Sequence, residues 1–306
     1  MCFQCPYLQL SFFQVPKNIN LQSFKSSTMP LKEGSYKPYS EVVIGSIIYG
    51  TIGVFLDKVQ DMSIESILFS RFFFGFGMIF IYLLLSRGLR QLRLRKNRRY
   101  LMLLALLNSI TSICYFSSIK YSGISVAVLL LYTAPVYVNL LAPTILGEQN
   151  SRKSLLPLLL AAAGVLLIAH PGGFLMSVDT GSNFQKGLIF GLVSGLSLGI
   201  TIITVRYLRH DYKGITQTFW MTGISLLIMP PPALFTPLPL FFKNINILMM
   251  LGFTITFAAI VYLRGISEIR AQTSSILALL EPVSGIFFDI TILKNPVYIS
   301  TLRVAV

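Results

Sequence analysis

The chain has 306 residues, of which 54% are hydrophobic and only 12% charged, with a mean hydropathy of +0.72. A soluble domain carries about 25% charged residues, so half that share leaves too little polar surface for a water-exposed globule and excludes one. The net charge of +14 comes with no aromatic-interleaved basic surface, which excludes nucleic acid as the partner; the basic residues sit between apolar runs, where they orient membrane spans.

Residues 1–40 are polar-aromatic and rich in Ser, Gln, Asn and Lys, without the basic start and small-residue cleavage site of a signal peptide. They read as a cytoplasmic tail, with Met29 as an alternative start. Beyond Ser40, apolar runs recur between polar breaks, near 41–57, 64–86, 100–119, 123–146, 154–170, 187–208, 214–236, 245–264 and 271–293, and a tenth begins near Val297. Several reach the roughly 20 residues that cross ~30 Å of hydrocarbon as a helix. Strands are not expected, because unpaired backbone groups in lipid cost several kcal/mol each and the runs lack alternation. The expected fold class is an all-α membrane protein of about ten transmembrane helices. From Val297 to Val306 only about half a membrane thickness of helix is available, so the last helix is expected to be incomplete.

Basic residues set the orientation. The break RGLRQLRLRKNRR at 87–99 holds seven of them and no acid, a strong cytoplasmic anchor. With alternate breaks inside, Arg152, Lys153, Arg206, Arg209, Lys213, Arg264 and Arg270 join that side, while the outer breaks hold single lysines at Lys58, Lys120, Lys186, Lys243 and Lys294. A cytoplasmic N-terminus and a plasma-membrane location follow as expectations.

Sliding the chain against itself by 147 positions aligns Tyr115 with Tyr262, Ile119 with Ile266 and Pro135-Val136 with Pro282-Val283, among nine identities in forty. Two five-helix units are therefore expected, at 41–170 and 186–306. An odd number of helices puts the second upside down, a construction secondary transporters use to let one central site face either side. The aligned prolines fall near mid-membrane. Pro282 cannot donate to the Ala278 carbonyl, nor Pro135 to that of Leu131, so each is expected to be a hinge whose freed carbonyl needs another partner.

Within LALLEPVSGIFFDI at 277–290, Glu281 stands directly before Pro282. A carboxylate at that depth costs a few kcal/mol and is expected to be paired, protonated or facing a cavity, as a substrate contact or proton-coupling group. Asp289 lies two turns nearer the outer face. Arg71, the only arginine inside a span, could bind an anionic group or pair with Asp289 or Glu281. Tyr115, Tyr262, Tyr132 and Asn108 offer hydroxyl and amide groups for pocket lining or interhelical ties. Gly187, Gly191, Gly195 and Gly199 make one small-residue face, expected to serve helix packing. His170 and His210 read as solvated.

Other chemistry has no support. There is no GxxxxGK[ST] for ATP, no HExxH or Cys/His cluster for a metal, and no serine nucleophile elbow. Cys2, Cys5 and Cys114 read as free thiols, and no cofactor or metal is expected.

In order, SRFFFGFG around Arg71, YFSSIKYSGISVAVLLLYTAPVYV, a span ending LGEQ, the run LLLAAAGVLLI and, in the second half, ALLEPV resemble the EamA-type repeats of the drug/metabolite transporter superfamily. The resemblance covers roughly 41–300. It implies ten helices in two inverted five-helix EamA repeats that export or import small metabolites. The chain departs from it at LKNP, 293–296, where the first half has LGEQ, and at the terminal TLRVAV. The function expected is a secondary transporter of a small solute in the lipid bilayer, by alternating access and with proton coupling as a drive. A membrane-embedded enzyme and a non-transporting scaffold are the alternatives, and a homodimer is left open. Aromatic and small residues without a charged cluster point to a neutral, zwitterionic or amphipathic solute.

Overall fold

Proline, glycine and polar caps set several of the helix boundaries of this chain. The computed structural model describes residues 36–94, 96–147, 182–229, 231 and 236–293, with the side chains of Ile124, Ser125, Ser182 and Asp289 outside the description. Helix α1, Lys37–Gly50, starts with Pro38 in its first turn, where a missing N–H costs nothing. A one-residue turn at Thr51 separates it from α2, Ile52–Lys58. Helix α3, Ile64–Leu85, is capped by Ser63, whose Oγ accepts from the Ser66 N–H at 3.3 Å. After a 3-10 turn at Gly88–Leu92 comes α4, Arg98–Ser122, which ends at Gly123 in a positive-φ conformation (φ 85°) open to glycine.

The next span is broken. Helix α5, Ile124–Leu131, stops at Tyr132 and Thr133, and α6, Ala134–Leu146, restarts with Pro135 in its first turn. Helices α7, Ser182–Tyr207, α8, Gly214–Ile228, and α9, Leu238–Glu268, follow. The last described span breaks again: α10, Ala271–Leu277, gives way to α11, Leu280–Phe288, and a π turn at Asp289–Leu293. Under the 147-residue offset the second break, at 278–279, falls one residue from the first, at 132–133. The described residues are helical throughout, with no strand, and seven helical segments are long and apolar enough to cross a membrane. The expected spans at 154–170 and from 297 lie outside the described residues.

Two boundaries differ from expectation. The span expected to reach 236 ends at Ile228, because residues preceding proline are driven out of the helical region and Met229, at φ −76° and ψ 136°, already is. The span expected at 245–264 runs as α9 over 31 residues, since Pro237 and Pro239 start it early and its polar first turns are held by Asn244, which exchanges two 3.1 Å hydrogen bonds with the Gln60 backbone.

That exchange defines one end of the bundle. There Ser66 Oγ also meets Thr236 Oγ1 at 2.8 Å, and Ser118 Oγ donates to the Gly187 carbonyl at 2.8 Å. At the opposite end Arg264 Nε pairs with Glu41 Oε1 at 3.2 Å, Asn97 Nδ2 donates to Asp211 Oδ2 at 2.6 Å, and Arg206 donates to the Ser267 carbonyl. Helix α1 therefore runs from the arginine-bearing end to the Asn244 end, and α7 runs the other way. The principal pairings exchange the halves: α1 packs antiparallel on α9, and α7 antiparallel on α4. An apolar cluster that includes Leu101, Leu104, Ile202, Leu208, Leu263 and Ile269 fills the arginine-bearing end. The periphery stays apolar: Leu140 and Ile189 are 67% and 62% exposed, as befits side chains whose solvent is hydrocarbon.

Glycine seats α7 on its neighbours. A Cβ at Gly187 would fall 2.5 Å from that of Ser122, one at Gly191 would overlap the Leu130 side chain, one at Gly195 would meet the Leu130 carbonyl, and one at Gly199 would lie 3.1 Å from the Ala134 carbonyl. The four glycines thus lay α7 along the end of α4 and across the first helix break. Gly50 does the same at the second break, where a Cβ would fall 2.8 Å from the Gly285 nitrogen and 2.9 Å from the Glu281 carbonyl. Gly195→Val is expected to lose about 1–3 kcal/mol by overpacking, read as a lower unfolding temperature in detergent. Gly53→Ala, at a position with nothing within 4 Å, is expected to unfold no earlier than the parent protein.

Candidate functional site

Polar side chains inside an apolar bundle gather where the helices break. Glu281 occupies the first turn of α11 directly after the second break, and Tyr132 lies in the first break, with its hydroxyl within reach of the Glu281 carboxyl. Tyr115 from α4 and Tyr262 from α9, equivalent positions of the two halves, both lie within electrostatic reach of the Glu281 carboxyl. So do Tyr49 from α1 and Arg71 from α3. Tyr262 is 9% exposed and takes the Tyr49 ring edge-on at 5.8 Å between centroids. The other members keep some accessible surface although they lie deep among the helices.

Arg71 opens onto a water-sized cavity of about 20 Å³ between α1, α3, α4, α8 and α9. Its wall is formed by Tyr49, Asn108, Thr222 and Thr256 with apolar Phe72, Met221, Ile255 and Ala259. The guanidinium carbon sits 5.4 Å from the centre of the Phe72 ring. Among the described residues Arg71 makes no ion pair, and the expected pairing with Glu281 is not formed; the Asp289 side chain lies outside the description. Folding brings Arg71 of one half within electrostatic range of Glu281 of the other.

The remaining expected residues divide by role. Asn108 lines the cavity and is also a tie: its Nδ2 donates to Ser225 Oγ of α8 at 3.0 Å, beside a 2.9 Å bond from Ser109 Oγ. Pro135 and Pro282 each sit in the first turn of the helix after a break. The Ala278 carbonyl that Pro282 cannot serve is taken by the Glu281 N–H at 3.0 Å, so the broken span satisfies that acceptor itself. The Leu130 carbonyl takes both the N–H and the hydroxyl of Thr133, at 3.2 and 2.6 Å. His170, Cys2 and Cys5 lie outside the described residues. No group of three or more metal-ligating side chains occurs among the described residues. Tyr49 was missed by motif reasoning; its signal was a phenol hydroxyl inside the first apolar run, the criterion that had selected Tyr115 and Tyr132.

Residues 39–170 and again 185–306 match the EamA-like transporter family. The chain belongs to that family. An uncharacterized transporter of Archaeoglobus fulgidus is 30% identical over 245 residues, which cover 79% of this chain and 82% of that one. The uncharacterized transporters YetK and YyaM of Bacillus subtilis are 23% and 26% identical, covering 84% and 70% of this chain and 76% and 72% of their own. A crystal structure at 16% identity superposes with a TM-score of 0.64 over 81% of this chain and 86% of its own, a likeness of fold alone. This EamA-like protein is an integral membrane protein, and its relatives carry the name of transporters, not of enzymes.

The tie across α4 and α8 is the part of the site whose strength can be read without a solute. Ser225→Ala leaves the Asn108 amide and the Ser109 hydroxyl without their shared partner. It is expected to cost about 1 kcal/mol, measured as reduced thermal stability of the purified protein.

Proposed function

We propose that this EamA-like protein is a secondary transporter that moves a small metabolite or drug-like solute across the membrane by alternating access. The solute binds beside Glu281, Tyr132, Tyr115 and Tyr262, with Asn108 and Arg71 completing the polar lining. One observation carries the reading: polar side chains from both halves meet Glu281 at the two broken helices, inside a bundle that is otherwise apolar. Ionisable groups at such depth are costly in lipid and persist where they face a solute path or a proton relay. Discontinuous helices at the interface of two repeats are where such transporters hold their cargo.

The reading extends to topology. Ten helices form two inverted five-helix units, 41–170 and 186–306, with the N-terminus cytoplasmic in the plasma membrane. The opposite directions of α1 and α7 support the inversion, and the arginines at one end support the orientation. The packed apolar cluster at that end is the closed gate, and the Glu41–Arg264 pair its outer latch. Pro135 and Pro282 mark the hinges, and the glycine face of α7 is the seam along which one unit moves on the other.

Glu281 is the coupling group. It takes a proton while the cavity opens to one side and releases it to the other. A growth screen of expressing cells against toxic metabolites identifies the solute, and counterflow of that solute in proteoliposomes then reads the coupling. Glu281→Gln should leave a folded protein whose counterflow no longer varies with pH; an unchanged pH profile would remove the coupling role. Tyr132→Phe keeps the ring and deletes the hydroxyl within reach of Glu281. It is expected to slow the same counterflow several-fold, the effect of losing about 1 kcal/mol.

A further inference from the structure

Arg71 is held in place from behind and left open in front. Its backbone is pressed against α9, where a Cβ at Gly252 would lie 3.2 Å from the Arg71 carbonyl, so the helix cannot rotate the side chain away. Arg71 lines the cavity together with Tyr49, Asn108, Thr222 and Thr256, all uncharged. Arginine in a protein does not lose its proton, so the charge stays. The Phe72 ring at 5.4 Å offers a cation–π contact, which leaves the in-plane N–H donors unused. Asn108 turns its Nδ2 to Ser225 Oγ, and Glu281, the nearest acid by charge, lies beside Tyr132. Among the described residues nothing accepts the donors of Arg71.

A guanidinium at this depth is costly unless it meets an anion, and a fork of parallel N–H groups fits the two oxygens of a carboxylate. We infer that Arg71 is a carboxylate-binding subsite and that the transported solute carries a carboxylate group. This rests on the transporter reading for the solute's passage but not for its binding. The acid end of the solute lies against α3, and the rest extends toward the tyrosines and Glu281. That geometry narrows the solute class to organic acids and zwitterions and removes purely neutral or cationic solutes.

The subsite can be read at Arg71 itself, before any solute is known. Full-length protein in proteoliposomes is treated with 2,3-butanedione, an arginine reagent, and labelling of residue 71 is followed by peptide mass spectrometry. Benzoate is expected to slow that labelling saturably, as one plus its concentration over its dissociation constant, or about five-fold at four times that constant. Benzamide, the same shape without the charge, is expected to leave the rate unchanged. Failure of Arg71 to label in the absence of benzoate would mean a sealed or paired guanidinium and overturn the inference, as would equal protection by benzoate and benzamide. A failed coupling test at Glu281 leaves this result standing, and a failed protection test leaves the coupling role intact.

Discussion

A carbonyl without a partner in hydrocarbon costs several kcal/mol, and the architecture of this protein follows from managing that cost at two broken helices. At the first break the Leu130 carbonyl takes both donors of Thr133 while Gly195 presses on it from α7. At the second, the Ala278 carbonyl takes the Glu281 N–H while Gly50 presses on the Glu281 carbonyl from α1. Each break is closed by the first helix of the opposite half. Side chains larger than hydrogen at those glycines would hold the helices apart and leave the breaks exposed to lipid. The halves are therefore joined at the points where their backbones are weakest, and the polar cluster collects at the same points.

Because the surrounding solvent is as apolar as the side chains, burial alone does not choose which helix sits beside which. Specificity falls to close contacts and hydrogen bonds. Ser197 reaches across to the Leu107 carbonyl at 2.8 Å, Trp220 to the Leu92 carbonyl at 3.1 Å, and Gln217 to those of Val205 and Tyr212. The contacts also repeat with the sequence offset. The Glu41–Arg264 pair at one end corresponds, 147 residues on and back, to Leu188 and Ser117 at the other, beside the bond from Ser118 to Gly187. The ion pair of one interface is a hydroxyl–carbonyl bond in its counterpart, so the packing is shared while the chemistry differs.

Much of this was legible in the residues. Run lengths marked most spans, the Tyr and Pro-Val matches marked the repeat, and the four-residue glycine period marked the face that α7 lays on α4 and α6. What stayed hidden depended on three-dimensional proximity. Tyr49 has no distinguishing neighbours in sequence, and Gly50 follows Gly45 at a spacing that suggests no stripe; both matter because of what α9 and α11 bring to them. The freed Ala278 carbonyl was expected to look outward for a partner, but a tighter turn supplied one three residues along. Arg71 and Glu281, 210 positions apart, could not be seen within electrostatic range of each other until the halves were interleaved.

The offset that matches Tyr115 to Tyr262 sets Glu281 against Ala134. Halves that share a tyrosine at this level but not a carboxylate do not make a palindrome: turning one over exchanges an acid for a methyl group. Gradients across the membrane still dictate the net direction of flow, as thermodynamics requires. In the transport cycle proposed above, the barriers on the way in and on the way out would then not be mirror images, and the two faces of the membrane would saturate at different concentrations.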